Sequence, residues 1–241
     1  MRKVAILTLV CAAVCACDKH DPILPGERSD IFASDSLNVL NIDVPNVSEN
    51  AVQFDSECPY TQKNDNTIWD GDRKIFSGFA TSNYVAGDKK PICNGNFVYA
   101  GLSTGELVKV NAKNRQIAWI ADVFRPTNMM GGASVIDIIA SPRLYKNYVY
   151  VGGLGNAFCK ISDSTGNTAW CLDIGVQKNF IITDAAIYVV DTDDNLNAIR
   201  MRDGAIFWRK SVEKARTPKY KDKIITVGHE QFDAETGKLL K

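Results

Sequence analysis

Tyr99, Tyr150 and Tyr188 are each followed twenty residues later by a tryptophan: Trp119, Trp170 and Trp208. The register holds between those ends. Val98, Val149 and Ile187 precede the tyrosines, while Leu107, Phe158 and Leu196 lie twelve residues before the tryptophans and Val110, Ile161 and Ile199 nine before. A recurring unit of about four short strands implies an all-β radial or stacked architecture rather than one compact enzyme core.

Each piece of the unit has a physical role. Phe97-Val98-Tyr99-Ala100, Tyr148-Val149-Tyr150-Val151 and Ala186-Ile187-Tyr188-Val189 are rich in β-branched and aromatic residues, as strands are. Residues 101–106, 152–156 and 191–195 supply the glycine, asparagine and aspartate that tolerate positive φ in tight turns. Leu107-Val108-Lys109-Val110 and its counterparts from Phe158 and Leu196 alternate apolar with more polar residues, the period of a half-buried strand. A further turn, Asp163-Ser164-Thr165-Gly166 or Arg202-Asp203-Gly204, leads to the tryptophan strand, and Arg115 stands where the other units have glycine. An indole at a fixed place in every unit is best explained as a wedge between neighbouring sheets, in preference to a row that stacks on a sugar or cofactor.

The outer units are less regular. Residues 222–227 resemble a first strand and 233–237 a last turn, but four residues are missing between them and the tryptophan position falls on Lys241. Near the other end, residues 37–44 are apolar, and the polar stretch around 58–72 contains Trp69. That stretch is either a degenerate first repeat ending at Trp69 or a strand completing another blade.

Equal numbers of acidic and basic residues, 28 of each, leave no net field to hold nucleic acid. Arg2 and Lys3 precede an apolar run to Ala16 that is short for a membrane span, so residues 1–16 read as a cleaved signal. Val14-Cys15-Ala16-Cys17 resembles a bacterial lipoprotein box, and Cys17 is the expected lipid attachment site because Ala16 is the small residue such a box wants. An ordinary secretory cleavage near Ala16 is the alternative. Residues 17–36, with Pro22, Pro25 and Gly26, read as a lipidated tether, and residues 37–241 as the repeat domain. Four further cysteines remain, an even number in an exported chain. Cys159 and Cys171 flank a hairpin turn and could pair, leaving Cys58 to Cys93; unpaired buried thiols fit almost as well.

These units, with valine-tyrosine, a glycine turn, a leucine strand, aspartate-x-threonine-glycine and tryptophan, resemble the quinoprotein-type (PQQ-like) β-propeller repeat. The lipobox and the stretch from Asp137 to Trp208, above all Ile174-Gly175-Val176-Gln177-Lys178-Asn179-Phe180, make the chain similar to the BamB family of outer-membrane protein assembly factors. Leu24-Pro25-Gly26-Glu27-Arg28 is similar to the tether of some relatives. The resemblance implies a β-propeller of four-stranded blades, contracted from the family's eight to about four or five, either closed into a small ring or left as an arc.

It also implies a non-catalytic lipoprotein scaffold without cofactor, on the periplasmic face of the outer membrane. Its loops would contact BamA of the barrel-assembly complex, and its clients would be unfolded outer-membrane proteins. Asn83-Tyr84-Val85-Ala86-Gly87-Asp88 matches one family contact loop at Val85, Gly87 and Asp88, and Asp137-Ile138-Ile139 matches a second at Asp137. Turn capping is the other role open to Asp88 and Asp137. Asp18 after Cys17 favours inner-membrane retention in enteric bacteria, which makes the inner membrane the alternative location.

An enzyme needs convergent proton-transfer or nucleophilic groups, and the two histidines, His20 and His229, supply little toward them or toward a metal cluster. Asp191, Asp193 and Asp194 read as a solvated hairpin turn rather than a calcium loop, so no metal ligand is assigned. A reduced PQQ-dependent dehydrogenase and a truncated propeller remnant are the remaining alternatives.

Overall fold

Strand-forming runs separated by turn residues, with no long-range crossover to break them, fold as consecutive antiparallel meanders. A computed structural model of the chain describes residues 37–54, 58–82, 84–85, 87, 89–124 and 135–241. The signal segment, Cys17, the tether to residue 36 and Asp88 lie outside the described residues. No helix occurs among those described, and the strands make five sheets.

The first sheet holds β1 (Thr61–Gln62), β2 (Thr67–Asp70) and β3 (Arg73–Ser77). The second holds β4 (Ile92–Asn94), β5 (Phe97–Gly101), β6 (Glu106–Asn111) and β7 (Gln116–Asp122). The third holds β8 (Arg143–Tyr145), β9 (Tyr148–Gly153), β10 (Ala157–Ser162) and β11 (Thr168–Leu172). The fourth holds β12 (Ile181–Ile182), β13 (Ile187–Val190), β14 (Asn195–Ile199) and β15 (Ile206–Ser211). The fifth holds β16 (Lys219–Lys221), β17 (Ile224–Val227) and β18 (Glu230–Asp233). Every strand pairs only with its neighbours in sequence, which is the topology of propeller blades.

Alternation along the strands sends successive side chains toward opposite neighbours. Tyr99, Leu107 and Trp119 of the second blade meet Val149, Val151 and Ile161 of the third; Tyr150 and Phe158 of the third meet Ile187 and Val189 of the fourth. Tyr188, Leu196 and Trp208 of the fourth in turn meet Ile225, Val227 and Phe232 of the fifth. Ile68, Ile75 and Phe76 complete the series against Val98 and Val110. Five blades thus share four apolar cores among the described residues.

The tyrosine-to-tryptophan spacing has a direct cause in this packing, because both side chains reach the same turn of the next blade. Trp119 Nε1 donates to the Asp163 carbonyl at 2.8 Å, Trp170 Nε1 to the Met201 carbonyl at 3.1 Å, and Trp208 Nε1 to the Glu235 carbonyl at 2.9 Å. The Tyr99 hydroxyl donates to the Asp163 carboxylate at 2.7 Å, and that of Tyr188 to the Ala234 carbonyl at 3.0 Å. Lys109 Nζ and Lys160 Nζ make the same crossing, to Asp163 and to the Met201 carbonyl. The indoles lie on Gly166, Gly204 and Gly237, which have positive φ and where a Cβ would come within 2.8, 3.0 and 2.6 Å of the ring. Arg115 adopts the same backbone (φ 61°) and is exposed.

The first blade is a repeat, but it does not end at Trp69. Asn66, Gly105, Asn156 and Asp194 are the positive-φ residues of corresponding turns, and Tyr60, Tyr99, Tyr150 and Tyr188 each lie six residues before them. Tyr60 is therefore the first blade's tyrosine. Its β2–β3 hairpin closes at once through Gly71, with Asp70 opposite Arg73, so Arg73 stands at the level at which the later blades carry tryptophan. Trp69 instead sits on the middle strand with the Lys63 ammonium 3.8 Å from its ring centre.

Residues 37–54 strap the fourth blade from edge to edge. Val39 pairs in parallel with Ile206 on β15, Val44 N–H donates to the Glu235 carbonyl, and Val52 N–H donates to the Ile182 carbonyl on β12. Val44 and Val47 join the core between the fourth and fifth blades. Cys58 and Cys93 form a disulfide that ties the entry of the first blade to β4, and Cys159 and Cys171, directly opposite across β10 and β11, form the other.

Candidate functional site

In a four-stranded meander, the turn between the second and third strands and the connection to the next blade emerge at the same end. Here those connections are residues 78–91, 123–142, 173–180 and 212–218. Side chains between them bind three into one surface. Asp137, 1% exposed, accepts the Val85 N–H at 2.8 Å and the Lys89 ammonium at 2.9 Å. Lys90 N–H donates to Ser141 Oγ, and Ser141 N–H donates to Asn179 Oδ1. The backbones also approach closely: a Cβ on Gly87 would lie 2.8 Å from Cβ of Ile139.

The two sequence-matched segments are therefore brought together, with different duties. Val85 is half-buried and Gly87 exposed at the rim, whereas the Asp137 carboxylate is consumed inside, holding the Val85 loop in place. Lys89 carries no local signal of its role, because it pairs with an acid 48 residues away. Val85, Gly87, Ile139, Leu154, Gln177, Lys178, Asn179 and Thr217 line a cleft of about 410 Å³. Its lining offers aliphatic, amide, hydroxyl and ammonium groups, which suits holding a polypeptide. Lys178 and Thr217 also line a second cleft of about 550 Å³ that runs on toward the fifth blade.

The acidic turn of the fourth blade is only partly solvated, contrary to the sequence reading. Asp191 is buried and accepts from Arg209 at 2.8 Å, from Asn197 Nδ2 and from the Asp193 and Asn195 amides, while Asp194 accepts the Ala215 N–H. These contacts fix the Lys214–Thr217 loop beside the second cleft. Tyrosines elsewhere are tuned by the same burial: desolvation raises the Tyr150 phenol to about 12 and, with the Asp163 hydrogen bond second, raises that of Tyr99 further.

Known proteins share the blade fold. The family model described as outer membrane protein assembly factor BamB matches residues 34–210, well over half of the chain. The chain is 25% identical over 126 residues to the BamB of Alkalilimnicola ehrlichii, covering 52% of this chain and 33% of that protein. It is 23% identical over 137 residues to the BamB of Legionella pneumophila, covering 57% and 36%. The matched region is thus about a third of the length of these curated relatives. Among solved structures, BamB from Moraxella catarrhalis superposes with a TM-score of 0.63 at 18% identity, over 76% of this chain and 59% of that one. The computationally designed Ika8 protein superposes with a TM-score of 0.50 at 14% identity, over 75% and 53%. Both structural likenesses concern the fold. By the extent of the family match and the blade repeats that carry it, the chain belongs to the outer membrane protein assembly factor BamB family.

Proposed function

We propose that this chain is a non-catalytic scaffold in outer-membrane protein assembly, and that its inter-blade loop face docks BamA of the barrel-assembly complex. The observation that carries the reading is the cross-linking of three successive connections through Asp137 and Ser141 into one preformed surface. Preorganised loops lose little freedom on docking, and so suit a scaffold. Val85, Gly87 and Asp88 form the contact, and Asp137 acts from behind as its strut. Lipidation at Cys17, with residues 17–36 as tether, places the repeat domain on the periplasmic face of the outer membrane, where unfolded outer-membrane proteins are the clients; the inner membrane is the competing location.

The test is recovery of BamA with the tagged, lipidated full chain in mild detergent. Asp137→Asn leaves the Lys89 ammonium buried without its counter-charge, at a cost of about 3 kcal/mol, and loosens the Val85 loop. It is expected to reduce recovery severalfold while β-type circular dichroism persists at 25 °C. Failure of the folded, lipidated wild type to recover BamA sinks the reading.

A further inference from the structure

The second cleft is cationic at every charged position. Lys178, Lys214, Arg216 and Lys219 line it together with Ala215, Thr217, Thr226 and Gly228, and no carboxylate is among them. Two other cations at this end of the blades are paired, Lys89 with Asp137 and Arg209 with Asp191. These four make no ion pair among the described residues. Acids flank this loop, since Asp194 accepts the Ala215 N–H and Glu230 the Glu213 N–H, but none lines the cleft, and the four cations concentrate positive charge there. All four are exposed, so the charges stand ready without a desolvation cost already met.

The cleft also adjoins, at the shared residues Lys178 and Thr217, the one lined by Val85, Ile139 and Leu154. A small anion would use one end only. An occupant that matches both ends must be elongated, acidic over the fourth-to-fifth connection and apolar toward the first-to-second. Gln177, Asn179 and Thr217 between them offer hydrogen-bond donors and acceptors to a backbone.

We propose that the adjoining clefts bind an extended acidic polypeptide segment, its carboxylates on Lys178, Lys214, Arg216 and Lys219 and an adjacent apolar side chain against Ile139 and Leu154. The proposal rests on the docking reading for the face concerned and adds the chemistry of what docks there.

The experiment uses the full chain in mild detergent and a fluorescein-labelled decapeptide of four glutamates, two leucines and glycines, compared by anisotropy with its glutamine counterpart. The acidic peptide is expected to bind about tenfold more tightly at low salt, with the preference lost on raising ionic strength several-fold. Lys178→Glu with Arg216→Glu should abolish the preference, and the glutamine versions of both should reduce it, with circular dichroism unchanged. Equal binding of the two peptides overturns the proposal, as does a preference that survives in the folded double variant. Displacement of the peptide by phosphatidylglycerol vesicles but not by excess unlabelled peptide overturns it in favour of a lipid surface. Selective peptide binding without recovery of BamA would leave this proposal standing and remove the docking reading; recovery of BamA without peptide selectivity would do the reverse.

Discussion

At the residue scale, the connection between blades is a latch: tyrosine, tryptophan and often lysine of one blade seize the turn of the next. The glycine beneath each indole is required twice over, by its positive φ and by the ring above it. Gly166→Ala is therefore expected to cost about 2 kcal/mol or more, since both a left-handed alanine and a displaced Trp119 must be accommodated. Arg115→Gly removes only the backbone strain, because the shortened β2–β3 hairpin supplies no tryptophan above it. It should be neutral or stabilising by up to about 1 kcal/mol. Urea denaturation of the two variants checks the contrast; equal effects would refute the latch as its cause.

The latch also sets an alkaline limit. Desolvation raises the Tyr150 phenol from its ordinary value near 10 to about 12, so the folded state holds this proton more tightly than the unfolded chain does. The resulting stability is complete below pH 10 and is lost as pH rises from there through about 12. Tyr99 and Tyr188 are shifted in the same direction, again chiefly by burial. The tyrosinate absorbance contributed by these three should accordingly rise together with loss of the β-sheet signal, and single Tyr→Phe variants at each position identify their share.

Among elements, the first blade is small: three strands, a two-residue β1 and no tryptophan at the position that wedges against the next blade. What it lacks in packing is offset by the Cys58–Cys93 disulfide, which closes a loop of sequence separation 35 onto β4. Restricting that loop in the unfolded chain is worth about 3–4 kcal/mol on the chain-entropy model. The Cys159–Cys171 bridge spans only 12 residues inside a hairpin already paired by its ladder. Cys58→Ser with Cys93→Ser is thus predicted to release the first blade selectively. Hydrogen exchange should show lost protection in β1–β3 and β4 while β13–β15 stay protected; uniform loss would contradict this.

Over the whole molecule, the fifth blade differs from those before it in the face it turns outward along the series. Tyr99 faces Lys109, Tyr150 faces Lys160 and Tyr188 faces Ala198 across the second and third strands, and each pair looks toward the next blade. In the fifth blade that pair is Thr226 and Gln231. A polar face there offers little apolar area to a second copy of the chain. This chain should therefore sediment as a monomer, and Thr226→Tyr with Gln231→Leu, which restores an apolar face, should make it self-associate. A monomeric double variant would show that the polar pair is not what keeps that face free.

Much of this was legible in the chain itself. The tyrosine-to-tryptophan register, the turn glycines and the alternating strands are local patterns, each set by residues within one unit, and they identify the blades and the indole wedge. Tyr60 was hidden because the tight turn at Gly71 shortens the spacing and puts Arg73 where the landmark tryptophan would have placed it. The burial of Asp191 was hidden because its partner Arg209 sits on another strand. For the same reason, sequence could match Val85, Gly87 and Asp137 to contact loops without showing that one holds the other. What the sequence determined alone was a set of β-blades, since hydrogen-bonded meanders need only neighbours along the chain. Tertiary structure decided which charges are spent inside, as with Asp137 and Lys89, and which are left facing water, as with Lys178 and Arg216, because pairing depends on distances between blades that no local pattern encodes.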